Sequence, residues 1–488
     1  MLRSSAATPR SAGRVLASNT GWRFVAFGAR TVGGLVATIL VARTLGPEEF
    51  GRFQFALALT LLLSFLVMLG LPKLLVRELA RRPGEAVVRI DSALLITLVA
   101  GSAVSLLLFG LSRIFDTGAA LLVMAGVTLI ADSATRVVMA LFWAFERMKY
   151  EAVSVGVQES AFVALTLAVL ARGSGVEGVM FAYLVSRMIG LLVAWSIATT
   201  KLHRPTWPRW HPGVVRQMLR ASMPFAIDDA LSLAYVRIDA VLLGVFKGPR
   251  AVGLYQSATN LVLYLNILPR MVNMSMYPQM SRAWPDRPSE LRRLRDASLR
   301  LLGAIAMPLA VGSFLLAPRI FGFVYGPEFE SAAGFYQLLV LIVPFRMLGN
   351  TLGTALTSAD RQSQRTLLVA VAAAVNIGLN LVLIPAWSIQ GAVVATLVTE
   401  TGLFLAYAIL LRRAVGPSCL LSAVGVPGLA CVPLALAVIT LYTAPLVAVI
   451  VAAGAAYGVA LVVIVLARMP HPSMDPKALV GSFLAWSS

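Results

Sequence analysis

Gly46-Pro47-Glu48-Glu49-Phe50-Gly51-Arg52-Phe53-Gln54-Phe55-Ala56 returns, 202 residues on, as Gly248-Pro249-Arg250-Ala251-Val252-Gly253-Leu254-Tyr255-Gln256-Ser257-Ala258. Both read Gly-Pro-x3-Gly-x-aromatic-Gln-x-Ala, and the offset is the same at every matched position. Gly-Pro makes a tight turn, because proline fixes φ while the glycine before it can take conformations closed to other residues. Two unrelated turns between helices would share Gly-Pro. Sharing the second glycine, the aromatic, the glutamine and the alanine as well reads as an internal duplication.

The sequence around these turns is apolar. Of 488 residues, 59% are hydrophobic and 13% charged, with a mean hydropathy of +0.84. A soluble domain carries about 25% charged residues. Half that charge cannot cover a water-soluble surface of this size, so the chain is expected in a bilayer. Its polar stretches are all short, which leaves no separate catalytic or nucleotide-binding domain. Cys419 and Cys431 are too few for a disulfide framework, and His203, His211 and His471 fall in loops or the tail.

A spanning helix needs about 20 apolar residues. That window gives fourteen: 22–42, 53–72, 91–111, 118–144, 152–171, 177–198, 222–246, 253–277, 301–323, 334–357, 366–386, 390–411, 425–443 and 445–467. The last two are parted only by Thr443-Ala444-Pro445; reading them as one broken span would give thirteen. Fourteen returns the basic tail to the basic side. With the N-terminus inside, the inner segments hold 27 Lys and Arg and the outer loops 7, a strong positive-inside bias. The net charge of +19 is therefore read as loop charge rather than as a nucleic-acid surface. Arg3, Arg10 and Arg14 make residues 1–20 a basic inner tail. The segment 73–89 has helical apolar spacing and is expected on the inner surface, its basic residues facing anionic lipid.

The repeat offset spans six helices, an even number, so spans 1 and 7 run in the same direction. The expected architecture is all-α and polytopic, with two six-helix lobes related by a parallel pseudo-twofold axis. These are an N-lobe at 21–200 and a C-lobe at 221–412, joined by an inner linker at 201–220. A C-terminal helix pair at 413–467 and a tail at 468–488 follow. Transporters built from such repeats bind their substrate between the halves and alternate access by rocking.

Thirteen charges fall inside the spans, and each would cost about 2.5–3.5 kcal/mol facing lipid at the bilayer centre. They are Arg23, Arg30, Arg136, Arg187, Arg237, Arg270 and Arg346, with Asp132, Glu159, Asp228, Asp229, Asp239 and Glu400. Helical spacing groups many of them into stripes. Arg23 and Arg30 share a face of span 1, with Phe27 between. Asp228, Ser232, Tyr235 and Asp239 share one on span 7; Asn266, Arg270, Asn273 and Tyr277 repeat the pattern on span 8. Arg346, Asn350, Gly353 and Thr357 follow on span 10, then Asn376 with Asn380 and Thr396 with Glu400. Polar contacts between helices account for isolated Asn and Thr. Four-residue stripes with arginine point to a hydrated lumen. Asp132 and Arg136, at i,i+4, can neutralise one another. Arg30 has no acid at i±3 or i±4, and Arg270 and Arg346 come next as unexplained cations.

Guanidinium groups in a cavity suit an anion, phosphate above all, which they hold with a bidentate fork. The expected substrate-binding cations are Arg30, Arg270, Arg346, Arg23 and Arg187. Asp239, Glu159 and Glu400 are candidates for coupling to a proton or sodium ion. Tyr235, Asn266, Asn273, Asn350, Asn376 and Asn380 are the expected polar lining. No Gly-x4-Gly-Lys-Ser/Thr loop, His-Glu-x-x-His or Cys-x-x-Cys occurs. The expectation is therefore a transporter and not an enzyme, with no cofactor, no metal and no nucleic acid.

A further set of motifs carries a resemblance. Ala42-Arg43-Thr44-Leu45-Gly46-Pro47-Glu48-Glu49-Phe50-Gly51 follows span 1, and Leu69-Gly70-Leu71 with Val76-Arg77-Glu78 follows span 2. Asp239, Gly253-Leu254-Tyr255 and Tyr277-Pro278 mark spans 7 and 8. Tyr325-Gly326-Pro327-Glu328-Phe329, Ala359-Asp360-Arg361-Gln362, Asn380, Leu383-Ile384-Pro385 and Gly391-Ala392 come after. In this order, over about 20–412, the chain resembles the polysaccharide-biosynthesis (Wzx-type) flippases of bacterial membranes. These belong to the multidrug/oligosaccharidyl-lipid/polysaccharide exporter superfamily. The resemblance implies movement of a polyprenyl-pyrophosphate-linked oligosaccharide from the inner to the outer leaflet of the plasma membrane, with both termini cytoplasmic. It also implies Arg30 first among the cations that meet pyrophosphate or acidic sugars, and a lipid-tail groove beside helices 425–467. Association with polymerase or export machinery would fit. Peptidoglycan-precursor flippases typically carry Ser-Arg-x-x-Gly-x-x-Arg-Asp in span 1. Phe27-Gly28-Ala29-Arg30-Thr31-Val32-Gly33-Gly34 departs from it. Ion-coupled drug or organic-cation exporters of the same superfamily are the alternative; their cavities are acidic or aromatic, against which the arginines speak.

Overall fold

The computed structural model describes residues 9–113, 118–202, 208–265 and 267–467. Asn266 of the expected lining, the first eight residues and the C-terminal tail 468–488 lie outside these residues. Every regular element among the described residues is helical, and ten helical stretches are long and apolar enough to cross a membrane. The chain is a multi-pass membrane protein. It divides into two compact units, residues 1–253 and 254–488.

The first unit begins with α1 (Pro9–Met68) and α2 (Leu71–Arg81), followed by α3 (Ala86–Leu111), α4 (Ala119–Ala144), α5 (Met148–Ala171) and α6 (Gly175–Ile197). It ends with α7 (Pro212–Lys247) and the first residues of α8 (Pro249–Leu265). Spans 1 and 2 are two helical arms of α1 that meet at a kink at Gly46 (φ 73°, ψ 178°), at the Gly-Pro turn expected between them. Gly248 (81°, 178°) and Gly326 (94°, 175°) repeat that conformation, each directly before a proline. It is a region of φ/ψ space that a Cβ closes to all other residues. The two repeated turns also pack on each other, Gly51 against the Pro249 carbonyl and Gly253 against that of Pro47.

The leucines of α2, Leu71, Leu74, Leu75 and Leu79, are buried in the core of the unit, among Ile90, Val138 and Phe142. Each such leucine contributes about 1.5–3 kcal/mol against exposure to water. The outward edge of α2 carries Lys73, Arg77 and Arg81.

The second unit holds the rest of α8 with α9 (Ile267–Ala283), α10 (Pro288–Val324), α11 (Ala332–Val340), α12 (Ile342–Ser358) and α13 (Gln362–Ala414). α14 (Leu420–Thr440) and α15 (Leu446–Ala467) close the chain as two separate helices. Span 10 breaks into α11 and α12 at Leu341, where Pro344 cannot donate to the carbonyl of Val340. Spans 11 and 12 are the two arms of α13, which meet at a kink at Ser388 (φ 52°) just past Pro385. α10 contains Pro308 and Pro318, each depriving the carbonyl four residues back of its helical donor. In a bilayer such a carbonyl must be satisfied from within the protein. Tyr457 Oη donates to Ala304 (2.6 Å), and Gln337 Nε2 to Phe314 (3.0 Å).

Candidate functional site

In the first unit, α1, α4, α5 and α6 bring five charges together. Gly33, one turn beyond Arg30, has no side chain, and that lets α5 approach until the Glu159 Cβ fills the place of a Gly33 Cβ. Arg187 Nη1 donates to Glu159 Oε1 at 2.8 Å, and Gln158 Nε2 donates to the same oxygen at 3.3 Å. The pair is buried, with the Arg187 guanidinium 4.3 Å from the Tyr183 ring centroid and 5.9 Å from that of Phe162. Arg136 Nε donates to Asp132 Oδ2 at 2.9 Å, the i,i+4 neutralisation expected.

Arg30 is exposed, and among the described residues it forms no ion pair. Its charge acts on both Asp132 and Glu159 from beyond pairing distance. Three arginines thus face two carboxylates. Arg30 carries the surplus positive charge: of the three arginines it is the one that makes no ion pair among the described residues. Arg23, two turns away on α1, is exposed as well.

Beside this cluster lies a cavity of about 300 Å³ lined by Ser64, Lys73, Arg136, Trp143, Asp229 and Ser232, among others. Lys73 Nζ bridges Asp228 Oδ2 (2.7 Å) and Asp229 Oδ1 (2.8 Å), tying α2 to α7. Arg77 reinforces the tie from over the Phe225 ring. Sequence reading left Lys73, Trp143 and Tyr183 out of the site. Lys73 looked like surface charge, and its partners stand 155 residues away, beyond any helical periodicity. Asp239 accepts from the Ala240 amide and is half-buried, as is Tyr235 on the same helix.

In the second unit the expected lining divides. Arg346 donates to Glu400 Oε1 through Nε (2.8 Å) and Nη2 (2.6 Å), so a candidate anion binder and a candidate coupling acid form one pair. Asn376 Nδ2 donates to Thr399 (3.2 Å) and Asn380 Nδ2 to Asn376 Oδ1 (3.0 Å), both buried between the two arms of α13. Asn273 is buried and accepts from Thr351 (3.2 Å). Asn376 and Asn273 thus bond across to another helical segment, while Asn380 bonds back to Asn376 one turn earlier. Arg270, Tyr277 and Asn350 are exposed, which splits the stripe proposed for span 8.

The same unit holds a feature that polar residues could not reveal. A cavity of about 860 Å³ opens between α10, α12, α13 and α14, walled by Met307, Phe314, Phe345, Phe404, Leu421 and Val424. Its walls are almost wholly apolar.

The family model described as "Polysaccharide biosynthesis protein" matches residues 16–284, more than half of the chain. A probable flippase, AglR, of Haloferax volcanii is 28% identical over 179 residues, covering 36% of this chain and 37% of its own. The EPS I polysaccharide export inner membrane protein EpsE of Ralstonia solanacearum is 23% identical over 317 residues, or 61% of this chain and 71% of its own. The chain thus spans little more than a third of the archaeal relative. Among solved structures, the lipid II flippase MurJ in an inward closed conformation aligns with a TM-score of 0.76. The alignment covers 91% of this chain and 97% of that one, at 12% identity. An outward-facing multidrug resistance MATE family transporter aligns at 0.54, also at 12% identity, covering 82% and 95%. At such identities the likeness is one of fold.

Proposed function

The chain belongs to the polysaccharide biosynthesis protein family, and on that premise we propose that it translocates a polyprenyl-pyrophosphate-linked oligosaccharide from the inner to the outer leaflet of a bacterial plasma membrane. Fourteen spans with both termini cytoplasmic, arranged as two six-helix halves and a C-terminal pair, would carry it by alternating access. The reciprocal packing of the two Gly-Pro turns supports the parallel repeat that this motion needs.

The observation that carries the reading is Arg30, a spanning-helix guanidinium that is exposed and in surplus over the acids around it. Its free fork suits pyrophosphate or an acidic sugar, with Arg23 and Arg270 as further exposed cations. The apolar cavity suits a prenyl chain, which has no polar group to satisfy. Buried Arg187 and half-buried Arg346 already hold Glu159 and Glu400. A proton or sodium ion at either acid would have to release its arginine, while Asp239 is the coupling candidate of α7. An exporter of organic cations is the weaker reading, because a cationic surplus repels its substrate.

The test is translocation of a polyprenyl-pyrophosphate oligosaccharide in proteoliposomes, with and without a pH gradient. Flipping that needs the protein supports the reading, and its response to the gradient reports coupling. Efflux of cationic dyes, with no flipping across several glycans, would overturn it.

A further inference from the structure

The α14–α15 hairpin supplies one wall of the apolar cavity, and its attachment is unusual in chemistry. The links at both ends of α14 are held by arginines from opposite ends of the same helix. Arg295, with no exposed surface at all, lies near the start of α10. Its Nη1 donates to the Gly416 carbonyl (3.1 Å) and its Nη2 to that of Pro417, in the link that enters α14. Its Nε is taken by Asp296 (2.7 Å). Arg319, near the other end of α10, donates to the carbonyls of Tyr442 and Ala444 (2.6 Å), in the link between α14 and α15. Its guanidinium also stands 5.4 Å from the Tyr442 ring centroid. Arg295 and Arg319 are 24 residues apart, about 36 Å along a helix at about 1.5 Å per residue. That separation is about the thickness of a bilayer core.

Between them α10 is clamped twice more. Gly303 lies so close to α14 that a Cβ there would be 2.0 Å from the Ala423 carbonyl oxygen. That oxygen is four residues before Pro427, hence without a helical donor. Tyr457 of α15 meanwhile closes the gap left by Pro308. The Tyr457–Ala304 bond is buried within the spanning length, where breaking it would leave a carbonyl that water cannot reach, while the two arginines hold the links at either end of α14. The seam is also packed by apolar side chains, Leu316 of α10 with Val426 and Leu434 of α14 and Val449 of α15 among them.

We propose that the α14–α15 hairpin is a fixed wall, riveted to α10 by Arg295 and Arg319 as positioning residues, and that the lipid chain enters without the hairpin parting from α10. The proposal rests on the flippase reading of the cavity. It predicts that α10 and the hairpin stay together throughout the transport cycle, and that the apolar cavity changes by movement of α12 and α13 instead.

The test replaces one rivet by a covalent one. Arg319→Cys and Ala444→Cys, combined in one chain, are bridged by a bifunctional methanethiosulfonate with about the reach of an arginine side chain, reversible with reductant. Wild-type protein and each single variant receive the same treatment, which corrects for Cys419 and Cys431. The bridged protein is expected to flip lipid-linked glycan at least as fast as its reduced form, and within about twofold of wild type. Arg319→Cys alone should be slower than either. Loss of flipping on bridging, recovered by reductant, would show that the hairpin must leave α10 and would overturn the proposal. Absence of flipping by untreated wild type would instead strike the functional reading itself.

Discussion

Gly51 and Gly253 approach one another backbone to backbone. A Cβ on Gly51 would lie 1.8 Å from the Pro249 carbonyl oxygen, and one on Gly253 would lie 2.0 Å from that of Pro47. The contact is reciprocal because each glycine is the sixth residue of one copy of the repeated turn. Backbone oxygens cannot rotate away as side chains do. Gly51→Ala and Gly253→Ala should therefore each cost about 1–3 kcal/mol, the range for overpacking. Tryptophan-monitored thermal unfolding in detergent reads this. The double variant should lose less than the two single losses combined, since both relieve one interface. Unchanged melting in either single variant would mean that the turns do not pack this way.

Arg30 and Arg187 should fail differently. Arg30→Glu is expected to abolish glycan-lipid translocation while expression and melting stay near wild type, because Arg30 is exposed and outside any ion pair among the described residues. Arg187→Ala leaves Glu159 buried without its guanidinium. Breaking a buried pair from one side costs about 3–5 kcal/mol, so here the fold should suffer first. Adding Glu159→Gln to Arg187→Ala should return part of the stability. Equal transport by Arg30→Glu and wild type would remove Arg30 from the pathway.

Gly425 lines the apolar cavity, and a Cβ there meets nothing within 4 Å. Gly425→Trp should fill the space without straining the helix. Translocation of a long-chain prenyl lipid should fall about tenfold or more, some 1.4 kcal/mol in the transport barrier, while a short-chain analogue moves as before. Equal loss for both chain lengths would separate the cavity from the lipid tail.

Burial pushes the Cys419 thiol up to about 11, and the neighbouring Asp296 charge adds to the effect. The thiolate is the nucleophile, and a raised value keeps the group protonated at neutral pH. Maleimide labelling of Cys419 should accordingly be slow near pH 7 and rise about tenfold per pH unit through the alkaline range. Mass spectrometry of the labelled peptide checks the slope. A plateau near pH 8.5 would indicate an ordinary, solvated thiol.

The amino-acid sequence by itself determined the class of molecule, the position of most spans and the repeated Gly-Pro turns. These depend on local quantities: the transfer cost of about twenty consecutive side chains, and the φ/ψ freedom of single glycines such as Gly46 and Gly248. Periodicity also placed Asp132 beside Arg136, since neighbours at i,i+4 need no tertiary information. Only the tertiary structure decided which cation meets which acid. Arg187 and Glu159, Arg346 and Glu400, and Lys73 with Asp228 and Asp229 are pairs between different helices or helix arms. A helical stripe says which way a side chain points along its own axis, not what stands opposite. The buried Asn376, Asn380 and Asn273, the cavity walled by Phe314, Phe345 and Phe404, and the grip of Arg295 on Gly416 were hidden for the same reason. Each is made by helix packing, in which apolar and small residues look alike in one dimension and become a core, a crevice or a seam only when helices are brought together.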